Sequence, residues 1–340
     1  MEENIQKDSQ SAINSNTANN ATNAKIQNKN KIPKIKFNFS AIKNVIKNIY
    51  ENQYKKLLII PFALLLAALI MIGAQVANTG DFVNRDVSLK GGVTVTIPTE
   101  QQIDASILKD ALSEDFPNND ISTKSISQFG NHAGFIVEAD ITEDDANKLV
   151  DSIEKALNIE LGKNDYSIEI VGSSLGASFF REIISALGIA FIFMSIVVFL
   201  YFRTFVPSAA VILAVFSDII VTLAIVNMMG LKISAAGIAA FLMLIGYSVD
   251  TDILLSTRLL KRKEGTEMER IYGAIDTGFT MTLTTLVAAT IGLIFTQSEV
   301  IRQIMIILLI GLLVDMINTW IQNVGILRIY LERKARKAGQ

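Results

Sequence analysis

Apolar and polar positions divide this chain into segments of different character. Residues 1–31 are dominated by Asn, Gln, Ser, Thr, Ala and Lys. They hold too few large apolar side chains to offset the entropy of ordering, which predicts a disordered cytoplasmic tail. In 32–56, Ile42, Val45, Ile46, Ile49 and Tyr50 recur at helical spacing behind Ser40, an N-cap residue type, while Lys43, Asn44, Lys47 and Asn48 fill the other face. One apolar stripe suits either a basic amphipathic helix lying in a membrane interface or a helix packed on protein. Residues 57–77 are then a run of 21 predominantly apolar positions. At about 1.5 Å per residue such a run crosses roughly 30 Å of hydrocarbon. It is longer than the roughly 7–15 residues of a signal-peptide core, so it reads as a first span and not as a cleaved leader.

Residues 80–182 change to soluble-type patterning. Val93–Ile97, Ile121–Phe129, Phe135–Ala139 and Tyr166–Ile170 read as strands; Gln101–Leu112 and Glu143–Leu157 have helical spacing, the latter with Thr142 as its cap. The order β-α-β-β-α-β is the ferredoxin-like arrangement, a four-stranded antiparallel sheet with two helices on one face. Its free face and edges suit packing on a partner domain or, alternatively, strand addition by an extended peptide. Lys90-Gly91-Gly92 reads as a turn needing unusual backbone angles.

Five more apolar runs follow within 183–327, at about 183–202, 205–229, 233–257, 278–296 and 303–327. Short connections make spans two and three, three and four, and five and six adjacent hairpins. The expected fold is therefore a polytopic α-helical membrane protein with six transmembrane helices and one extracytoplasmic α+β domain between the first two.

Charge fixes the expected orientation. Residues 1–56 hold ten lysines against four acids, 258–270 hold five bases, and 328–340, read as a basic cytoplasmic tail, carries five more. Residues 80–182 hold 19 acids against 8 bases. The positive-inside rule puts both termini in the cytoplasm and the acidic domain outside, with Arg258, Lys261, Arg262 and Lys263 read first as topology anchors.

Composition agrees with a membrane protein: half of the 340 residues are hydrophobic and mean hydropathy is +0.39. With no cysteine and one histidine, His132 in a predicted turn, thiol chemistry and multi-histidine metal sites are excluded. No phosphate-binding loop, nucleophile elbow or zinc-protease motif occurs, so neither an enzyme activity, nor a cofactor, nor a nucleic-acid partner is expected.

The chemistry-bearing residues are acids inside the spans. Asp250 and Asp252 sit in span four, Asp218 in span three and Asp315 in span six. A carboxylate at a membrane helix centre costs roughly 2.5–3.5 kcal/mol on insertion scales, so such acids mark proton or ion paths. Asp250 and Asp252 are about 200° apart around a helix and cannot form one paired site. Asp250 is the first candidate for ion coupling because it lies toward the span's centre. The structural alternative has Asp252 satisfying a neighbouring helix or the inner surface, and Asp218 and Asp315 bonded to Thr222, Asn318, Thr319 or the hydroxyls Thr277, Thr280, Thr282, Thr284 and Thr285 of span five.

The run Ile245-Gly-Tyr-Ser-Val-Asp-Thr-Asp-Ile-Leu-Leu-Ser-Thr-Arg258 resembles the signature of the SecF family, in its archaeal form. Phe202-Arg-Thr-Phe, Ser217-Asp-Ile-Ile-Val-Thr and Val171-Gly-Ser-Ser-Leu-Gly extend the likeness over about 50–330. The resemblance implies an accessory subunit of the Sec translocase. It would act with a SecD-like subunit beside a SecY-type translocon in the lipid bilayer, using the proton or ion gradient to promote export of secretory polypeptides. Two positions depart from bacterial relatives: their aspartate falls on Thr251, and their span-five arginine on Thr277. The rival readings are an ion-driven efflux transporter of the resistance-nodulation-division type and a scaffold subunit without ion coupling.

Overall fold

The computed structural model describes residues 50–99, 105–128, 131–162, 165–262, 264–296 and 298–338. The expected tail 1–31 and most of the 32–56 segment lie outside them. Gln53–Gln340 form one compact unit, which holds every element of the sheet domain and the bundle.

After a helical turn at Tyr54–Leu57, α1 runs Ile59–Thr79 and stops at Gly80, whose φ of 78° closes the helix in the left-handed region. The sheet domain then follows as β1 (Gly92–Pro98), α2 (Ala105–Asp115), β2 (Ile121–Gln128), β3 (Asn131–Ala139), α3 (Ala146–Leu157) and β4 (Ser167–Val171). The strands pair antiparallel in the order β2-β3-β1-β4, with Val95 opposite both Val137 and Ile168. Strand alternation puts Val93, Val95 and Ile97 of β1 and Phe135, Val137 and Ala139 of β3 on the face covered by Leu108 and Leu112 of α2 and Leu149 and Ile153 of α3. Burying each of the large ones contributes roughly 1.5–3 kcal/mol.

Three local expectations change. His132 lies in β3, not a turn, where the ladder shifts register between Ile126 and Ser127. Thr142 does not cap a backbone amide: its hydroxyl bonds Asp145 at 3.2 Å, and a 3-10 turn, Glu143–Asp145, precedes α3. Residues 100–104, where the first helix was expected to begin, lie outside the described residues, and α2 runs on to Asp115.

The bundle comprises α4 (Ser173–Phe202), α5 (Phe205–Met228), α6 (Ala235–Lys261), α7 (Glu267–Phe295), α8 (Glu299–Ile317), a π-helical segment Asn318–Asn323, and α9 (Val324–Ala338). Among the described residues six helices are long and apolar enough to cross a membrane, the last being the continuous Val300–Lys337. Three depart furthest from the apolar runs. Helix α4 starts ten residues before 183, and near its start Gly176 passes close against Gly91: a Cβ on Gly176 would lie 2.6 Å from the Gly91 nitrogen. Helix α7 starts at Glu267, where Thr266 and Glu269 form a capping box, so 258–270 is mostly helix and not loop. The basic 328–338 stretch continues the last helix. Apolar windows find the part of a helix that meets lipid and miss its polar overhangs.

The sheet domain is seated on one end of the bundle. Arg85 and Ile233 make a parallel bridge, with the Ile233 amide donating to the Asn84 carbonyl at 2.6 Å. Lys232 pairs with Asp120 at 2.8 Å. The sheet face opposite the helices looks onto a cleft of about 420 Å³, walled by Thr94, Thr96 and Glu138 above and Leu231, Ser234 and Gln303 below.

Candidate functional site

The polar residues of the bundle converge on its interior. On α8 and the π segment, Asp315, Asn318, Thr319, Gln322 and Asn323 follow the i, i+3, i+4, i+7, i+8 rhythm of one helix face. All five are buried. The π turn widens the helix where four of them project inward, a distortion found mostly at functional positions. Helix α6 contributes Ser248, Thr251, Asp252 and Ser256, and α5 contributes Ser217, Asp218 and Thr222, every one of them buried.

Asp218, Asp252 and Asp315, all fully buried, form a connected string across three helices. Ser248 Oγ donates to Asp218 Oδ2 at 2.5 Å, and the Asn318 amide donates to Asp218 Oδ1 at 2.7 Å. Asp315 neighbours both Ser248 and Asp218. Thr319 Oγ1 lies 2.9 Å from Asp315 Oδ1 and 3.0 Å from Asp252 Oδ1, and Asn323 donates to Asp252 Oδ1 at 2.7 Å. Gln322 reaches Ser217 at 3.3 Å. The second oxygens of Asp252 and Asp315 have no hydrogen-bonding partner among the described residues. Nor does any lysine or arginine among them lie within salt-bridge distance of the three carboxylates. Desolvation and the neighbouring acids both favour the protonated form of such carboxyls or a neutralising cation beside them.

Asp250 stands apart. It is exposed on the opposite face of α6, in a stripe with Met243, Gly246 and Tyr247. Of the four candidate acids the structure therefore unites Asp218, Asp252 and Asp315 and leaves Asp250 outside. Asn318 and Thr319 do serve the acids as the structural alternative expected, whereas Thr222 has no partner among the described residues. The span-five hydroxyls turn elsewhere: Thr280, Thr284 and Thr285 donate to carbonyls of their own helix.

Sequence reasoning passed over Ser248, Asn323 and the Gln322–Ser217 contact; the 3-4 spacing of polar residues in spans four and six was the available signal. It also read Arg258 first as a topology anchor, and did not foresee its contacts: the guanidinium crosses to α7, donating to the Gly273 carbonyl and, at 2.8 Å, to Thr277 Oγ1. Among the described residues no cluster of three or more His, Cys, Asp or Glu stands in metal-holding geometry.

The comparisons with known proteins agree with this architecture. The family described as protein export membrane protein SecD/SecF, C-terminal, matches residues 152–333. The Protein-export membrane protein SecF of Methanocaldococcus jannaschii is 37% identical over 84% of this chain and 98% of its own length. That of Pyrococcus furiosus is 38% identical over 88% and 98%. This chain belongs to the SecF family. Among solved structures, SecDF from Thermus thermophilus, described as a translocon-associated membrane protein, superposes with a TM-score of 0.62 at 21% identity, over 83% of this chain and 38% of that one. This SecF-family chain is thus a multi-pass membrane protein, and its bundle carries a buried polar seam of three acids.

Proposed function

We propose that this SecF-family chain works with a SecD-like subunit beside a SecY-type translocon and uses a proton gradient to promote the outward passage of secretory polypeptides. The observation that carries the reading is the string Asp218, Asp315 and Asp252, three buried carboxyls linked through hydroxyl and amide side chains, with no base among the described residues to neutralise them. Polar side chains arranged this way are expensive in a span and are the means by which a bundle takes up and passes on protons.

The sheet domain is read as a ferredoxin-like domain outside the cell, and both termini as cytoplasmic. Support comes from charge: 80–182 is strongly acidic, while 258–270 and 328–340 are basic. The exposed stripe of Met243, Gly246, Tyr247 and Asp250 supports a partner bundle against α6, because a carboxylate left in lipid would cost several kcal/mol. The relatives' printed name, protein-export membrane protein, and the description of SecDF as translocon-associated favour export over efflux.

Affinity isolation of the full chain in mild detergent tests the partnership. A SecD-like polypeptide is expected to co-purify; recovery only of homotrimers with an envelope adaptor would favour the efflux reading. A cysteine placed at Asp144 is expected to react with an impermeant reagent in intact cells, and reaction only after membrane disruption would reverse the topology.

A further inference from the structure

Thr319 sits between two acids, and its hydroxyl ties their protonation states together. A hydroxyl has one proton to give and two lone pairs to receive with. Its Oγ1 is within hydrogen-bond distance of two carboxyl oxygens, Asp315 Oδ1 at 2.9 Å and Asp252 Oδ1 at 3.0 Å. It can donate fully to only one. Shared between both, its proton makes two weak bonds; the two contacts are both full-strength bonds when one carboxyl carries a proton and donates it to Thr319.

From this donor count we infer that the Thr319 hydroxyl is a proton relay between Asp315 and Asp252, an assignment that rests on the proton-coupled reading above. Starting with Asp315 as the acid and Asp252 as the carboxylate, the Asp315 O–H bond breaks as its proton passes to Thr319 Oγ1. The original Thr319 O–H bond breaks as that proton passes to Asp252 Oδ1. Asp315 is left as carboxylate, Asp252 as acid and Thr319 as hydroxyl, so charge and atoms balance, and the reverse transfer restores the start. Each hop spans about 3 Å, within the reach of direct proton transfer.

The surroundings fit a shuttle better than a fixed bond. Asn323 donates to Asp252 Oδ1 at 2.7 Å and favours the state with Asp252 ionised. Asp218, on α5, is the third titratable group of the cluster; it neighbours Asp315, and its own oxygens are already engaged by Ser248 and Asn318. On the described faces of α7 and α9 no charged side chain contacts these acids. Thr319 lies in the π segment, where a turn that regains ordinary helical winding would move its hydroxyl relative to Asp252 on the neighbouring helix. Breaking the relay therefore needs only a local change in winding.

The test compares Thr319→Val, which removes the hydroxyl and keeps the shape, with Thr319→Ser, which keeps it. Both are made in the full chain with its co-purifying partner, next to Asp252→Asn and Asp315→Asn. Gradient-driven export should fall roughly a hundredfold in Thr319→Val and the two Asn variants, and stay within about threefold of wild type in Thr319→Ser, the scale a positioned proton-transfer group supplies. Infrared titration of the carboxyl bands in detergent gives a second readout: Asp252 and Asp315 should titrate as a coupled pair in wild type and Thr319→Ser, and independently in Thr319→Val. Thr319→Cys, a weak donor, replaces valine in that titration if the valine variant does not accumulate. Full export by Thr319→Val alongside dead Asn variants, or unchanged coupling in the infrared, would overturn the relay and leave the proton-coupled reading standing. Silent Asn variants would remove both.

Discussion

The sheet domain and the helix bundle treat the same side chain in opposite ways. Among the described residues of the sheet domain, buried carboxylates are matched to bases. Glu138 accepts from Lys124 at 2.8 Å, Asp86 lies 4.0 Å from the same ammonium, and the half-exposed Asp120 sits between Lys232 and Lys90 at 2.8 and 3.5 Å. In the bundle, three fully buried aspartates are matched only to hydroxyls and amides. A carboxylate paired with a base has settled its charge and serves to hold two elements together. One surrounded by neutral donors can change its charge without losing its partners, which is what coupling to a gradient requires. Position in the fold, not residue type, separates acids paired with bases from acids held by neutral donors.

The strongest way to break that contrast is to neutralise acids inside the bundle and on the exposed face of α6. Asp218→Asn should cut gradient-driven export by roughly a hundredfold while the protein still accumulates in the membrane, since the substitution preserves size. Asp250→Asn, on the exposed face, should leave the proton step intact and instead weaken recovery of the partner subunit. Export assays and co-purification on the same variants separate the two. Loss of gradient dependence in Asp250→Asn with an unaffected Asp218→Asn would show that the coupling site lies at the partner face and not in the buried string.

How far the sequence foretold this differs between the regions for a physical reason. In the sheet domain each element is read from its own alternation: Val93, Val95 and Ile97 point to one face because a strand has period two, so the order of elements could be written down directly. The four candidate acids were equally visible, because a charge in an apolar run is conspicuous. What a single segment does not encode is which face of α6 meets α8. Asp250 and Asp252 are nearly opposite on the helix, and only the contacts of Asp252 with Thr319 and Asn323 choose between them. The π turn at Asn318–Asn323 and the reach of Arg258 to Thr277 were hidden for the same cause: both are settled between helices. The SecF-like signature and its departure at Thr251 drew attention to the neighbouring acids of span four, and depth in the span put Asp250 first, the one that lies outside the buried string.

A second test asks whether the two regions are independent in stability. Phe135 is the largest fully buried side chain of the sheet domain. Phe135→Ala should cost about 3–5 kcal/mol there, from lost transfer energy and the cavity left behind. Limited proteolysis of the detergent-solubilised chain in rising urea should show 92–171 cut at much lower denaturant while the spans stay protected. Simultaneous loss of both would mean that the seat formed by Arg85, Ile233 and Lys232 couples the two regions into one cooperative unit.

The smallest expected effect concerns Glu138, the sheet-domain acid whose environment comes closest to that of the bundle. Burial pushes its carboxyl above the ordinary value of 4.5, the Asp86 carboxylate adds to the push, and Lys124 opposes it. An acid whose folded pKa is raised binds protons on folding, so its favourable contribution is fully present below 4.5 and is lost as pH rises through the raised folded value. Glu138→Gln keeps an acceptor for Lys124 and removes the charge. It should flatten the pH dependence of sheet-domain unfolding above 4.5 and raise stability at neutral pH by on the order of 1 kcal/mol. Denaturant unfolding at a series of pH values checks this. A loss of stability at neutral pH would mean that the ion pair with Lys124 outweighs burial, making Glu138 an anchoring acid as fully as Asp120, and the contrast between the two regions sharper than the pKa direction implies.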